Sequence, residues 1–249
     1  MPGKALRPIV RVVQVTASLC VPTSSGTSTS SIKELELIEP GLVDYRVAWQ
    51  WQRQLHAQRR ADARGDTVML LEHPSVYTAG KRTLDSDRPR NGSEVVEVDR
   101  GGKITWHGPG QLIGYPILRL PQPLDVVAYI RRIEQLLINT CAQLGLATML
   151  IDGRTGVWVP ADDRGPARKV AAIGVRVSYR VTLHGFALNC SPNLAAFDTI
   201  VPCGLADAGV TSLSAELGRT VTVGDVLPVV RPQLGTLCDP RPVLNPTRA

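Results

Sequence analysis

The stretch RKVAAIGVRVSYRVTLHGFALN, residues 168–189, carries two apolar runs with only Tyr179 and Arg180 between them. RKVAAIGVRVS (168–178) and VTLHGFALN (181–189), together with GVWV (156–159) just upstream, read as strands of an antiparallel meander. Ahead of that meander, strand and helix patterns are mixed rather than strictly alternating. IKELELIE (32–39) alternates like a strand, and DYRVAWQWQRQLHAQRRADARG (44–65) places Val47, Ala48, Trp51 and Leu55 at helical spacing with Gly65 as a stop. TVMLLEH (67–73) and VVEVD (95–99) are strand candidates. The clearest helix is DVVAYIRRIEQLLINTCAQLG (125–145), capped by Asp125, with Val126, Ile130, Ile133, Leu137, Cys141 and Leu144 on one face. TSLSAELG (211–218) reads as a short capped helix. This order favours an α+β fold over a doubly wound parallel sheet.

The chain has 249 residues, enough for one large α/β domain or two small ones, and 43% hydrophobic residues support a real core. Residues 1–31 open basic and continue as VPTSSGTSTSS, a tract that cannot bury enough surface to order itself. They read as a disordered extension, or as a start site assigned too far upstream; Arg11 and Gln14 interrupt the apolar part and argue against a signal peptide. Residues 32–225 form the expected catalytic domain. Residues 226–249 hold five prolines and are expected to be a weakly structured tail. The formal charge is +6, of which the two ends supply all but +1, and no lysine-rich run or basic stripe appears. Nucleic-acid binding is therefore not expected. No apolar run is long enough to cross a bilayer. Five scattered cysteines without a CxxC pair fit a reducing, cytoplasmic setting rather than a zinc site or disulfide framework.

Nucleotide loops fail first: GGKI lacks the hydroxyl and glycine spacing of a P-loop, and GxGxxG is absent from every strand-to-helix junction. Cys203, in FDTIVPCGLADAG, is bracketed by Pro202 and Gly204 in a bend that would present a thiol. Cys141 and Cys190 read as small core residues. A free thiol is mostly protonated at neutral pH and needs a base. Lys169 is one candidate. Alternation puts it on the face of Ala171, Ile173, Val175 and Val177, where desolvation would lower its pKa. The pattern alone favours instead an exposed strand end from which the ammonium reaches water. His73, His107 and His184 each precede a glycine or proline at a strand edge, which fits a Cys–His hydrolase, a metal set or three structural histidines. HxH and HxxxH spacings are absent.

Taken together, RGGKITWHGPGQLIGYP (100–116), LLEHPSVYTAG (70–80), RKVAAIGVRVS, LHGFALNCSPNL (183–194) and IVPCG (200–204) resemble, in order, the motifs of the octanoyltransferase family of lipoate biosynthesis, over roughly residues 35–225. The likeness is especially close to actinobacterial members. It implies a fold shared with lipoate and biotin protein ligases: a mixed, largely antiparallel sheet with flanking helices around an acyl tunnel. It also implies roles. Cys203 matches the acyl-accepting cysteine and Lys169 the lysine that lowers its pKa. Arg100, Gly101, Gly102, Lys103, Ile104, Thr105, Trp106 and His107 match the acyl-binding loop. Ala172, Ile173, Gly174 and Gly185, Phe186, Ala187 match two backbone segments that complete it, and His73 lines the site with His107. Leu205 replaces a usual isoleucine, and Pro228 and Pro232 break what is often a final helix.

The implied reaction takes an octanoyl or lipoyl group from the phosphopantetheine of acyl carrier protein to the lysine of a lipoyl domain, through a cysteine thioester. The acceptors are lipoyl domains of 2-oxoacid dehydrogenase complexes and the glycine cleavage H protein. The acyl group arrives activated, so no cofactor, metal or ATP is expected, and a monomer that binds neither nucleic acid nor membrane is expected. Arg59, Arg60 and Arg64 are a candidate patch for acidic partners. Two other readings stand beside this one: an ATP-dependent lipoate- or biotin-type ligase, and a non-catalytic protein that binds lipoyl domains.

Overall fold

The computed structural model describes residues 35–200 and 208–239. The expected disordered extension at 1–31 and Cys203 with its flanking motif lie outside the described residues. The chain begins with strand β1 (Glu36–Leu42), helix α1 (Tyr45–Arg60) and strand β2 (Thr67–Glu72). Asp44 caps α1 by accepting the Arg46 and Val47 N–H groups. The buried stripe of α1 is Tyr45, Ala48, Gln52, Leu55 and Arg59, so Val47, expected inside, is exposed. Next come β3 (Val76–Ala79), β4 (Val95–Glu97), β5 (Thr105–His107), β6 (Gln111–Ile117) and α2 (Val126–Gln143), which Asp125 caps as expected. The meander follows as β7 (Met149–Ile151), β8 (Arg154–Val159), β9 (Arg168–Ser178) and β10 (Val181–Asn189). After it lie β11 (Gly209–Val210), α3 (Leu213–Leu217) and α4 (Val223–Val230).

The main sheet runs β1-β2-β6-β10-β9-β8-β7, with β11 on β9. Only β1–β2 and β9–β11 are parallel, which makes the sheet mixed and largely antiparallel as expected. Period-two alternation supplies two cores. Val68, Leu70, Leu112, Phe186 and Leu188 face α2, α3 and α4, while Met69, Leu71, Ile113, Tyr115 and Ile117 face α1. A second, three-stranded sheet, β4-β3-β5, packs Tyr77, Ile104 and Trp106 against Phe197 and Ile200. Among the described residues no helix is long and apolar enough to cross a membrane.

Two expectations are corrected here. The described part of the proline-rich tail is not weakly structured: α4 continues past Pro228, and a 3₁₀ helix spans Arg231–Cys238. Val226, Val230, Leu234 and Leu237 are buried in the main core, and the Arg231 guanidinium pairs with Glu39 on β1. Apolar burial on the sheet outweighs the helix cost of proline. Leu234→Ala should therefore destabilise the fold by about 2–5 kcal/mol, read as a lower urea midpoint; an unchanged midpoint would show that this segment packs without consequence. The second correction concerns the basic patch. Arg59 is buried and bonded to Asp66 and Asp62, Arg64 to Glu36, and Arg60 stacks on the Tyr179 ring at 3.4 Å. Two of the three charges are neutralised internally and cannot form a free patch.

Candidate active site

The loop ahead of β5 is built around Arg100. Its guanidinium donates to Thr78 O and Oγ1 and to Lys103 O, each at 2.8 Å, and to Gly101 O at 3.1 Å. Tying the loop into so tight a coil puts Gly102 at φ +86°, which favours glycine. β5 then alternates. Thr105 and His107 line a narrow cavity of about 60 Å³, while Ile104 and Trp106 point into the small core behind it. The cavity is completed by Arg100, Gly102, Lys103, Ala172, Ile173, Gly174, Gly185, Phe186 and Ala187, all expected from the sequence. Tyr45 and Tyr115 also line it and were not among the expected site residues; His184, singled out in sequence only as a strand-edge histidine, lines it as well. Gly101, Ile104, Trp106 and His73 lie outside the lining, and His73 instead accepts a hydrogen bond from the Tyr115 hydroxyl at 2.7 Å.

The histidines are neutral and directionally fixed. His73 Nδ1 donates to Val43 O, leaving Nε2 to accept from Tyr115. Burial pushes its pKa down to about 4. His107 Nδ1 donates to Gln111 Oε1, and its ring stacks on Tyr45 at 6.0 Å. Burial, then the neighbouring His73, pushes His107 down to about 3. The network continues: Gln111 donates to Asn189 Oδ1, Asn189 donates to Thr211 O, and the Thr211 N–H bonds Lys169 O. Gln111 and Asn189 thus connect the cavity loop to the lysine-bearing strand. Sequence alone gave only their place inside recognised motifs.

His184 sits at φ +58°, opposite a stretch of β6 where Pro116 has no N–H to donate. The turn brings it against α1, where Gln52 accepts its backbone N–H and the Trp49 ring lies 6.3 Å away. Its Nε2 donates to Asp99 Oδ1 at 2.8 Å, and Arg176 holds the same carboxylate. Burial, reinforced by Arg100 and Arg176, pushes its pKa down to about 3.

Lys169 is 7% exposed, which overturns the expected strand-end position. It also lies on the other side of the sheet from the one alternation assigned. β8 and β9 pair Val157 with Ala171 but Trp158 with Lys169, leaving Val170 as a bulge. Val157, Val159 and Ala171 belong to the main core. Trp158 therefore points to the opposite face, and a directly opposed residue shares that face. Lys169 joins Ala172 and Gly174 there, three residues up the strand from the cavity wall. Its ammonium lies over the Trp158 ring, 4.6 Å from the centroid.

On either side of the segment that carries Cys203 the chain is anchored. Ile200 is buried with Ile104 and Trp106, and Val210 pairs with Lys169. Cys141 and Cys190 are buried, and burial pushes both thiols up to about 12, so they are inert packing groups. Among the described residues no group of three His, Cys, Asp or Glu side chains could hold a metal ion.

The chain matches the lipoyl protein ligase A/B catalytic domain family over residues 44–235. Among solved structures, a bipartite lipoate protein ligase from Thermoplasma acidophilum superposes with a TM-score of 0.59 at 12% identity, covering 81% of this chain and 82% of that one. The P. falciparum protein LipL1 in complex with lipoate gives 0.62 at 12% identity, over 82% and 62%. Sequence relatives are far nearer. An octanoyltransferase of Salinispora tropica is 65% identical over 85% of this chain and 100% of its own length. The Mycobacterium tuberculosis octanoyltransferase is 61% identical over 81% and 86%. The chain belongs to the octanoyltransferase family, and it is an acyltransferase.

Proposed function

We propose that this acyltransferase moves an octanoyl group from acyl carrier protein to the lysine of a lipoyl domain through a thioester on Cys203, with Lys169 as the proton carrier. The observation that carries this reading is Lys169 itself: a buried lysine on the strand that supplies the cavity wall, without a carboxylate partner among the described residues, paired by β11 to the chain that follows Cys203. The amine takes the thiol proton, the thiolate attacks the thioester carbonyl, and the new C–S bond forms as the pantetheine C–S bond breaks. Lys169 returns the proton to the departing pantetheine sulfur. In the second half the neutral acceptor amine attacks the enzyme thioester, a C–N bond forms as the acyl C–S bond to Cys203 breaks, and the proton released passes through Lys169 to the departing Cys203 sulfur. Thiol exchange is nearly balanced, and amide formation drives the overall transfer. The acyl group is already activated, so neither ATP nor a metal enters. The cavity takes the acyl chain, with His107, Ala172–Gly174 and Gly185–Ala187 as its walls and Arg100 as the tie of the loop that covers it.

Mass spectrometry after mixing the protein with octanoyl-acyl carrier protein and no ATP tests this directly. The expected result is one octanoyl group on a peptide containing Cys203, lost when a lipoyl domain is added and absent in Cys203→Ala. Cys141→Ala and Cys190→Ala should still carry the adduct. An adduct that requires ATP would assign the chain to the ligase chemistry, and reversible binding without an adduct would make it a non-catalytic binder.

A further inference from the structure

A lysine this deeply buried ordinarily has a carboxylate beside it. Among the described residues Lys169 has none: no ion pair or hydrogen bond reaches its Nζ, and its partner is the face of an indole. A carboxylate there would hold the amine permanently as ammonium. An aromatic face attracts the cation more weakly and leaves the N–H groups and, after deprotonation, the lone pair free. We infer that Trp158 is a positioning residue for the Lys169 amine, seating the ammonium that forms when the thiol proton is taken up. The inference rests on the proposed role of Lys169.

Three features of the chain build that seat. The Val170 bulge rotates Lys169 onto the face of Trp158. The ring itself cannot turn away: Trp158 is 1% exposed, and its Nε1 donates to Arg154 O at 3.1 Å. Two residues earlier on the same face, Gly156 has φ +122° and leaves room for the lysine stem. A Cβ there would lie 3.3 Å from Lys169 Cε and 2.6 Å from Ala171 O. The stem thus crosses a glycine and the head rests on an indole. Stabilising the ammonium favours the state in which the proton has left Cys203, so the ring should increase the thiolate fraction at neutral pH.

The experiment replaces Trp158 by tetrafluorotryptophan, which keeps the shape and removes most of the ring's attraction for a cation, and separately makes Trp158→Met and Trp158→Phe. Cys203 is alkylated with iodoacetamide across a pH series in the full chain. The tetrafluoro and Met proteins should alkylate about tenfold more slowly near neutral pH and recover as rising pH ionises the thiol directly, while Phe stays close to the native rate. The KM for octanoyl-acyl carrier protein should be unchanged and kcat reduced with the alkylation rate. A tetrafluoro protein with native alkylation and turnover would overturn the inference, leaving Trp158 as packing alone. Lys169→Met in the same assay separates the two levels. If it too leaves alkylation unchanged, the role of Lys169 is wrong; if it slows alkylation and the ring variants do not, only the seat is wrong.

Discussion

Lys169→Arg is expected to abolish turnover, with a loss of about 10²–10⁴-fold, while the fold survives. Charge is conserved, but function is not: a guanidinium stays protonated at any working pH and cannot accept the proton of Cys203. The site is also shaped for a straight stem and a compact head. Gly156 gives the stem its clearance and the Trp158 ring closes the end, so the planar fork of arginine has no flat partner of opposite charge to meet. Single-turnover acylation of Cys203 should fall together with steady-state turnover, and thermal melting should stay within a few degrees of native. A variant that transfers octanoyl at the native rate would remove Lys169 from the chemistry.

Acid should unfold this protein unusually early. His73, His107 and His184 are all buried and neutral, with pKa values held at about 4, 3 and 3 against an ordinary 6.5. In each case the folded value lies below the unfolded one, so in the window between them the unfolded chain binds more protons. Stability is complete above pH 6.5 or so and is lost as pH falls through that window. Each histidine contributes a slope of about 1.4 kcal/mol per pH unit, so three acting together give about 4 kcal/mol per unit. Against a total stability of about 5–15 kcal/mol, unfolding is expected near pH 4–5, before most carboxylates protonate. Urea midpoints measured from pH 7.5 downward should show this slope, and His184→Gln should reduce it by about one third. A flat profile down to pH 5 would mean that the three rings are protonated without cost in the folded state.

Much of this was legible in the sequence. Period-two runs gave the strands of the meander, and Asp125 marked the start of the long helix. Most of the cavity wall also follows from motifs, because Thr105, His107, Ala172–Gly174 and Gly185–Ala187 are consecutive segments of the chain. Local pattern carries such information because a strand exposes its own alternation and a cap satisfies its own helix.

Other features exist only between elements. The side on which Lys169 emerges depends on how β8 pairs with β9, and the bulge at Val170 reverses the alternation read along β9 alone. His184 enters the site because β10 takes a left-handed step beside a proline on β6. Tyr45 stands outside every motif and Tyr115 sits inside one with nothing local to mark its role; they reach the cavity from α1 and β6 through packing across the sheet. In the tail, prolines predict disorder locally, yet Val226, Val230, Leu234 and Leu237 gain a hydrophobic surface that no window of the tail contains. Register, handedness and burial are relations between segments far apart in the chain, and the physical contact that fixes them forms only when those segments meet.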